Sequence, residues 1–566
     1  MIKTIKQNIK QYLENYYNEK YNQQINIIVE EPKKAELGDI SIPMFMVVKA
    51  LRKPMPEITA EAKEVLLNAS ELISSVNVMG AFVNIMLDKT KFAKNVVLSV
   101  LAEGENFGNN TFGNGQNVVL DYSSPNIAKS FSVGHLRSTM IGNSLKLILQ
   151  KCGYNTTSIN YLGDWGTQFG KMIVAYKLWG NKEEILNDPI NKLTELYVKF
   201  HDEAAENPQL ENQAREVFRE LELGNQEYYE LWQWIREESL KESQQIYELL
   251  EVDFDSYNGE AYYNDKMEPV VEELENKGLL IEDQGAMIVK IGDDVPPALI
   301  KRADGGSLYI TRDLSAVFDR KQAYNFDKIL YVVGNEQKLH FEQLRRVIDK
   351  MEYGYSSDIE HIGFGLYLTN GKKMSTRRGK VVKLYDVLQQ AIELAYEAIN
   401  TKNPSLENKQ EIATKVGVAA IVFGDLKNHR ELDVEFNIES SVQFEGQTGP
   451  YLQYTGVRIA SILKDKEINT DNIDITVYEK PHYFELVKLI SNFANIVERA
   501  AVERAPSIIA KYLLSLAQSF NKFYSLEKIN VEDETIRNAN FALAKSIRIV
   551  LNEGLRLLGI HYLEQM

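Results

Sequence analysis

An apolar strand, a short turn and the start of a helix follow one another in DYSSPNIAKSFSVGHLRST, and this succession constrains the fold most strongly. The strand is apolar from Val118 to Leu120, the turn contains Ser-Ser-Pro-Asn, and the helix begins near Gly134 and His135. A helix N-terminus offers unpaired backbone N–H groups and positive dipole to an anion. Glycine leaves room there for a flat base or a phosphate because it has no side chain. The segment therefore predicts a phosphate-binding strand, turn and helix.

A second segment, GKKMSTRRGK from Gly371 to Lys380, gathers cations and hydroxyl groups in a predicted loop. Such side chains supply point charges and hydrogen-bond donors that suit a polyphosphate. The sequence has neither a G-x-x-x-x-G-K-[ST] loop nor a kinase-type glycine-rich loop, which are the common alternative ATP cradles. Together the two segments predict binding of ATP. The polar groups of the second segment are Lys372, Lys373, Ser375, Thr376, Arg377 and Arg378.

The two segments resemble the H-x-G-H and K-M-S-K-S signatures of class I aminoacyl-tRNA synthetases. Their surroundings resemble arginyl-tRNA synthetases over nearly the whole chain. Ser132 replaces the first histidine of H-x-G-H, so this position can donate a hydrogen bond but carries no charge. The second signature reads K-M-S-T-R, and Lys373 keeps the position of the family's catalytic lysine. The stretches that look arginyl are Ser123–Lys129, Gly134–Thr139, Leu162–Gly170, Leu308–Asp313 and Gly446–Ile459.

This resemblance implies an enzyme that ligates L-arginine to tRNA(Arg) through an arginyl-adenylate, with transfer to the 2′-hydroxyl of the terminal adenosine. The expected substrates are ATP with Mg²⁺, L-arginine and tRNA(Arg), without a protein-bound zinc. Another class I synthetase is one alternative, although Asp313 would be a poor neighbour for an aliphatic substrate and a cysteinyl enzyme needs several cysteines for zinc. The other alternative is a noncatalytic tRNA-binding paralogue. Ser132 in place of the motif histidine favours this alternative, whereas the presence of Lys373 favours an active enzyme.

The order of predicted elements indicates an α/β fold with a Rossmann-type catalytic domain. The strand-like runs VVLDY, TSINYL, MIVKI, LIKRA, LYIT, KILYVV and HIGFGL alternate with helical runs, which predicts a mostly parallel sheet. Asp304-Gly305-Gly306 predicts a hairpin between LIKRA and LYIT, and hence one antiparallel pair. The predicted domains are a small α+β tRNA-binding domain at 1–115, the catalytic domain at 116–424 and a helical anticodon-binding bundle at 425–566. The catalytic domain would carry a helical insertion at about 181–255 and the KMSTR loop at 373–377.

The formal charge of −16 is concentrated in the predicted insertion, where residues 181–251 carry 7 Lys or Arg against 18 Asp or Glu. This pattern favours a solvated helical face and does not oppose RNA binding elsewhere, which needs only a local basic surface. The single cysteine, Cys152, excludes a disulfide framework, and the histidines show no ligand spacing, so no protein-bound metal is expected. The sequence has no signal-peptide core and no apolar run long enough to span a membrane. We expect a cytoplasmic monomer.

The resemblance implies that His135 and Lys373 are catalytic, because both can place donors on the phosphates. Read alone, His135 would be a helix cap or a packing residue. His340 either lines the adenosine site or packs on the sheet. Asp313 either binds the guanidinium or caps a helix, and the turn DWGTQ either contacts substrate or is structural support. The residues expected at ATP are Ser132, Gly134, His135, His340, Lys373, Met374, Ser375 and Thr376. Those expected at arginine are Asp121, Asn126, Tyr309, Asp313 and Gln337.

Apolar residues recur at helical spacing in the C-terminal part, as in Leu486, Leu489, Ile490, Phe493 and Val497 and again in Tyr512, Leu513, Leu516, Phe520 and Phe523. This pattern predicts a helical bundle. At its start, aromatic rings that can stack on unpaired bases are interleaved with polar and basic side chains. Aromatic residues at helical spacing can equally well pack into a hydrophobic core. The expected tRNA-binding residues are Tyr451, Gln453, Tyr454, Arg458, Arg504, Lys511 and Lys522.

Overall fold

The computed structural model describes residues 2–32, 34–127, 131–302, 309–374 and 382–566. Within these residues helices predominate, and the strands form four small sheets. A small α+β unit comes first, a parallel sheet with flanking helices follows, and helices fill the C-terminal part. The predicted fold class is therefore confirmed.

The N-terminal part begins with an amphipathic helix, α1 (Ile2–Tyr21), which buries Ile5, Ile9 and Leu13. The elements that follow are β1 (Ile40–Pro43), α2 (Phe45–Leu51), α3 (Met55–Leu67), β2 (Ile73–Met79), β3 (Phe82–Leu87) and α4 (Lys89–Glu103). The strands form an antiparallel sheet in the order β1-β3-β2. The apolar side chains of α1 recur every three or four residues, so they lie on the face that packs into the core.

The middle of the chain is built around a four-stranded parallel sheet. Its elements are β4 (Asn117–Asp121), α5 (Val133–Lys151), β5 (Asn155–Ile159), α6 (Thr167–Trp179), α7 (Lys182–Asn187), α8 (Pro189–Glu206), α9 (Gln209–Glu222), α10 (Gln226–Leu250), α11 (Met267–Asn276), β6 (Leu280–Asp283), β7 (Ala286–Val289), β8 (Ala298–Lys301), α12 (Tyr309–Tyr324), β9 (Lys328–Tyr331), α13 (Lys338–Lys350), β10 (Ile359–His361), β11 (Tyr367–Thr369) and β12 (Lys372–Lys373). The sheet order is β10-β9-β4-β5, with every pair parallel. Since β4 is central, its apolar run Val118–Leu120 is buried on both faces. The carboxyl ends of the strands meet at one edge, where Asp121 lies in register with Ile159 and Tyr331.

Two of the predicted strands are wrong, LYIT and HIGFGL, since only His361 of HIGFGL belongs to a strand, β10, and β11 begins after it at Tyr367. The run LYIT is not a strand, because Tyr309 to Thr311 form the first turn of α12. Ile310 and Leu314 lie four residues apart and are buried together, a helical spacing that the four-residue run was too short to reveal. The runs MIVKI and LIKRA do form strands, but they belong to a separate antiparallel sheet, β6-β7-β8. The predicted turn Asp304-Gly305-Gly306 lies outside the described residues.

The predicted acidic insertion is helical and consists of α7 to α10. Its helices pack with α6 and the DWGTQ turn in a hydrophobic cluster of their own, which includes Trp165, Phe169 and Trp232. The indole N–H of Trp232 donates to the backbone oxygen of Asp164 over 2.8 Å. Most of the acidic residues occupy the outer faces of helices whose inner faces are apolar, whereas Glu238 in α10 is buried.

The remaining elements are α14 (Leu384–Lys402), α15 (Lys409–Leu426), β13 (Val434–Glu435), α16 (Ile438–Ser441), α17 (Gly449–Leu463), α18 (Pro481–Ser491), α19 (Phe493–Val502), α20 (Ser507–Leu526) and α21 (Glu534–Leu557). The first predicted apolar stripe is divided between α18 and α19, whereas the second lies entirely on α20 and is buried. Helix α5 packs against this bundle. The ammonium of Lys151 and the carboxylate of Glu553 in α21 lie 2.8 Å apart and are buried, and the Ser144 hydroxyl donates to the Leu557 oxygen over 2.7 Å.

Candidate active site

The start of α5 pairs with residues 382–384, just beyond the lysine-rich segment. Ser132 and Lys383 form an antiparallel bridge. On either side of it, the Val133 N–H donates to the Val382 oxygen over 3.2 Å and the Leu384 N–H donates to the Phe131 oxygen over 2.9 Å. Residue 382 lies two residues after the end of the lysine-rich segment at Lys380, and it lies against the start of α5. From the sequence alone, this proximity followed only from the expectation that both segments bind the same ATP molecule.

Ser132 is the N-cap of α5, and His135 occupies the third helical position. The Ser132 N–H donates to the Nδ1 atom of His135 over 3.0 Å, and the Ser132 hydroxyl lies 3.1 Å from the same atom. The capping role considered for His135 is therefore present. An accepting Nδ1 places the proton of the neutral ring on Nε2. A Cβ atom at Gly134 would lie 3.5 Å from the Ser132 hydroxyl, an ordinary contact, so protein packing alone does not require glycine there.

Lys373 ends the short strand β12, which pairs with β11 so that Lys373 is opposite Leu368. The next residue, Met374, is half-buried, and its N–H donates to the Tyr367 oxygen over 2.9 Å. The main chain that carries Lys373 is thus fixed to a sheet on one side. Ser375 and Thr376, both expected at ATP, lie outside the described residues, as does the side chain of Lys373.

Asp121, at the end of the central strand, is buried and already has a cationic partner. Its carboxylate lies 2.8 Å from the Arg320 guanidinium and accepts a hydrogen bond of 2.9 Å from the Ser124 hydroxyl. Burial raises the pKa of the Asp121 carboxyl, and the Arg320 charge opposes this rise. No pattern in the sequence indicates that these residues pair, since they lie in β4 and α12, about 200 residues apart in the chain. Arg320 therefore neutralises a carboxylate expected to face the substrate.

Asp313 lies in the second turn of α12, so it is not the N-cap that its sequence context allowed. Its Oδ2 atom is 2.6 Å from Nε2 of His340 in α13, and both side chains are 21% exposed. Gln337 is exposed at the start of α13, about one helical turn before His340. Tyr309 begins α12, and its side chain lies outside the described residues. The structure thus brings His340 to the predicted arginine-binding carboxylate.

Glu260 is a residue of this site that the sequence analysis missed. Its carboxylate lies 3.4 Å from the Arg312 guanidinium, next to Asp313 in α12. Burial raises the pKa of Glu260 to about 7, with the charge of Asp313 adding to the rise and that of Arg312 opposing it. The buried phenol of Tyr161 is also close, since the Asp313 charge adds to the effect of burial in raising the pKa of Tyr161. Glu260 has neither a motif nor a periodic pattern around it, so no sequence signal marked it.

Asn126 and the DWGTQ turn lie together beside this group. Asn126 forms a parallel bridge with Gly163, and a Cβ atom at Gly163 would come within 2.5 Å of the Asn126 side-chain oxygen. The close approach therefore requires glycine. Asp164 accepts hydrogen bonds from the Arg236 side chain over 2.7 Å and from the Ala261 N–H over 2.9 Å. These bonds favour the structural alternative for DWGTQ, because Asp164 joins the insertion to the segment that carries Glu260.

Comparison with known proteins identifies the family. The model for "tRNA synthetases class I (R), catalytic domain" matches residues 96–438. An arginine–tRNA ligase of Enterococcus faecalis is 49% identical over 96% of this chain and 96% of its own length. The chain belongs to the arginyl-tRNA synthetase family. A relative of the same name from Pediococcus pentosaceus is 50% identical over 95% of each chain. The models "Arginyl tRNA synthetase N terminal domain" and "DALR anticodon binding domain" match residues 3–87 and 452–566.

Solved structures of this arginyl-tRNA synthetase family have the same fold. The Thermus thermophilus arginyl-tRNA synthetase has a TM-score of 0.83 at 23% identity and covers 100% of both chains. The Plasmodium falciparum enzyme has a TM-score of 0.77 at 23% identity and covers 99% of both chains. The similarity extends over all parts of the chain, so it supports the three-part architecture described above.

The predicted tRNA-binding residues divide into a surface group and an interior group. Tyr454 is 39% exposed, and the Arg458 guanidinium lies 5.1 Å from the centre of its ring and 5.3 Å from that of Tyr524. Lys511 and Lys522 are exposed on α20. The interior group consists of Tyr451, Gln453 and Arg504. The Tyr451 hydroxyl accepts a hydrogen bond from Asn521, and buried Gln453 donates one to the His561 oxygen. Arg504 forms an ion pair with Glu360 in β10.

No group of three or more His, Cys, Asp or Glu side chains among the described residues is arranged to hold a metal ion. Within the same residues, no helix is long and apolar enough to cross a membrane.

Proposed function

We propose that this chain ligates L-arginine to tRNA(Arg) in two steps at the carboxyl edge of its parallel sheet. Membership of the arginyl-tRNA synthetase family makes it an arginine–tRNA ligase. The structural observation that best supports the site is the pairing of residues 131–133 with residues 382–384. This pairing holds the helix N-terminus of one signature beside residues 382–384, which follow the lysine loop of the other in the chain.

In the first step, the carboxylate of arginine attacks the α-phosphorus of ATP, which arrives as its Mg²⁺ complex. The new bond joins arginine to AMP, and pyrophosphate leaves with the electrons of the broken P–O bond. Positioning and neutralisation of phosphate charge carry most of the catalysis in such a reaction. His135 would donate through Nε2, because its Nδ1 accepts from Ser132. Lys373 would follow the charge that develops on pyrophosphate, with Gly134, Met374, Ser375 and Thr376 lining the ATP site.

In the second step, the 2′-hydroxyl of the terminal adenosine attacks the carbonyl carbon of arginyl-adenylate. The aminoacyl ester forms, AMP leaves, and the hydroxyl proton passes to solvent or to the leaving phosphate. The helical bundle would meet the anticodon through Tyr454, Arg458, Lys511 and Lys522, whose aromatic rings and charges suit unpaired bases and phosphates. Residues 1–115, 116–424 and 425–566 would act as the tRNA-reading, catalytic and anticodon-binding domains of a cytoplasmic monomer.

The guanidinium of arginine requires carboxylates with free hydrogen-bonding capacity. Asp313 supplies the best candidate, because Asp121 is neutralised by Arg320 and Glu260 lies beside Arg312. Glu260 would form the second wall of the pocket. Asn126 and Gln337 would meet the α-amino or carboxylate end of the substrate, and Tyr309 would complete the guanidinium site.

The direct test is ATP–pyrophosphate exchange measured with each of the twenty amino acids, with and without total tRNA. Arginine alone should support exchange, and arginine should then be transferred to tRNA(Arg). Exchange with another amino acid would identify a different class I specificity. Binding of tRNA without exchange or transfer would identify a noncatalytic tRNA-binding protein.

A further inference from the structure

We infer that His340 is a positioning residue for Asp313 and that arginine binds best when the ring of His340 is neutral, so that binding at lower pH releases a proton. The inference rests on the proposed function, because it takes Asp313 as the carboxylate that receives the substrate guanidinium. The inference assigns His340 to the amino-acid site and not to the adenosine site, which was one of the two alternatives for this residue in the sequence analysis.

The geometry fixes one carboxylate oxygen. Nε2 of His340 lies 2.6 Å from Oδ2 of Asp313, so an Nε2–H donor holds this oxygen and leaves the other one for a second donor. The two residues come from different helices, α13 and α12, and the distance is therefore set by helix packing. The ring of Phe341, next to His340, stacks on His361 and lies against Tyr331, which anchors this end of α13 to the sheet. His340 thus holds Asp313 in one orientation before substrate arrives.

Two parts of the pocket can change charge near neutrality, this pair and the Glu260 carboxyl. Asp121 and Glu260 face arginines, Arg320 and Arg312, which keep their charge at every pH of interest. Asp313 instead faces a histidine, which loses its charge near neutrality. The pair therefore carries a net negative charge only when His340 is neutral. The other titratable groups nearby are the phenols of Tyr161 and Tyr331, whose pKa values are raised by burial, and the imidazole of His361, whose pKa is lowered by burial.

The sign of the pH effect follows from the pair. Burial lowers the pKa of His340, but the hydrogen bond and charge of Asp313 outweigh burial and leave this pKa above the ordinary value. Below this pKa, protonated His340 neutralises Asp313 and repels a second cation. Arginine binding must then displace the proton, so the Kd for arginine should rise up to about tenfold for each pH unit below the pKa. Above this pKa, His340 is neutral and should make no further contribution to the pH dependence of the Kd for arginine.

The experiment measures the KM for arginine and for ATP in aminoacylation of tRNA by the full chain between pH 6 and pH 9. His340→Gln keeps an N–H donor for Asp313 but cannot be charged. It should keep the arginine KM within a few-fold of wild type at pH 9 and should flatten its rise at lower pH. His340→Leu removes the donor and should raise the arginine KM by about tenfold or more at every pH. The KM for ATP should remain unchanged in both variants.

The chain offers a matched control. In the C-terminal bundle, Nε2 of His482 lies 2.6 Å from the Glu527 carboxylate with similar exposure, so His482→Gln removes the same kind of pair elsewhere. This variant should keep the wild-type pH profile. Glu260 also titrates near neutrality, so Glu260→Gln separates its contribution and should leave the part of the profile that depends on His340.

Two results would overturn the inference: an arginine KM in His340→Gln that rises at low pH as steeply as in wild type, or a selective rise of the ATP KM, which would return His340 to the adenosine site. Either result would leave the proposed function intact. If wild-type protein failed to charge tRNA with arginine at any pH, the proposed function itself would be wrong.

Discussion

The guanidinium of Arg137 and the carboxylate of Asp425 form a buried ion pair, with 2.9 Å between Nε and Oδ1 and both side chains only 1% exposed. Arg137 also donates to the Leu432 oxygen over 2.8 Å. It belongs to the stretch GHLRST, near the start of α5, whereas Asp425 lies near the end of α15. The pair therefore fixes the N-terminal end of α5 to the helices that follow the lysine-rich segment in the chain.

Arg137→Leu should destabilise the protein by about 3 to 5 kcal/mol, because Asp425 would remain buried without its counter-charge. The measurement is the free energy of unfolding in a denaturant series. Lys415→Leu is the control, since Lys415 and Glu411 form a partly exposed pair on α15 whose loss should cost less than about 1 kcal/mol. The double variant Arg137→Leu/Asp425→Leu should recover much of the loss. A single variant as stable as wild type would mean that the pair contributes nothing.

Lys373→Ala should slow arginyl-adenylate formation by about a hundredfold or more, because it removes a cation that acts as phosphate charge develops. Lys372→Ala is the matched control, since it removes the same charge from the neighbouring residue of β12. ATP–pyrophosphate exchange measures both variants, and filter binding of tRNA should show little change in either. Equal losses in the two variants would indicate that the loop contributes only general positive charge.

Asp313→Asn should raise the KM for arginine by more than about tenfold while changing that for ATP little, because it weakens a charged hydrogen bond to the guanidinium. Asp121→Asn should behave differently. It leaves Arg320 buried without a counter-charge, so it should lower the free energy of unfolding as well as activity. Steady-state kinetics and denaturation of both variants make the comparison. If Asp121→Asn selectively raised the KM for arginine and Asp313→Asn did not, Asp121 rather than Asp313 would be the carboxylate that binds the guanidinium.

The sequence predicted those parts of the fold that depend on long periodic patterns or on local chemistry. The apolar stripe from Tyr512 to Phe523 forms the buried face of α20, as its helical spacing predicts. The run LYIT failed because four apolar and β-branched residues fit a strand and a helix equally well. Context from α12 decides between them, since Thr311 donates to the Ile300 oxygen over 2.7 Å from within the helix.

The pairing of charges could not be predicted, because it depends on which helices cross which strands. Asp121 and Arg320 are remote in sequence, as are Asp313 and His340, and nothing in their local sequence selects one partner over another. The residue types at the site were nevertheless informative, since a buried carboxylate needs a cationic or hydrogen-bonding partner. The sequence therefore provided grounds to expect Asp121 and Asp313 in the pocket, which stays a prediction, but no grounds to expect that Arg320 already pairs with Asp121.

The last prediction concerns the helical bundle, where the structure separates surface charges from interior ones. Lys511 and Lys522 are exposed on α20, whereas Arg504 pairs with Glu360 and its side chain is only 15% exposed. If α20 meets the RNA backbone, neutralising Lys511 and Lys522 to Gln should weaken tRNA binding and reduce the salt slope of log Kd by about 1 for each lysine. Arg504→Gln should leave this slope unchanged, because its contact is with β10. If the salt slope of log Kd fell in Arg504→Gln and stayed constant in the lysine variants, the RNA would contact the side of the bundle near Arg504 and not the exposed face of α20.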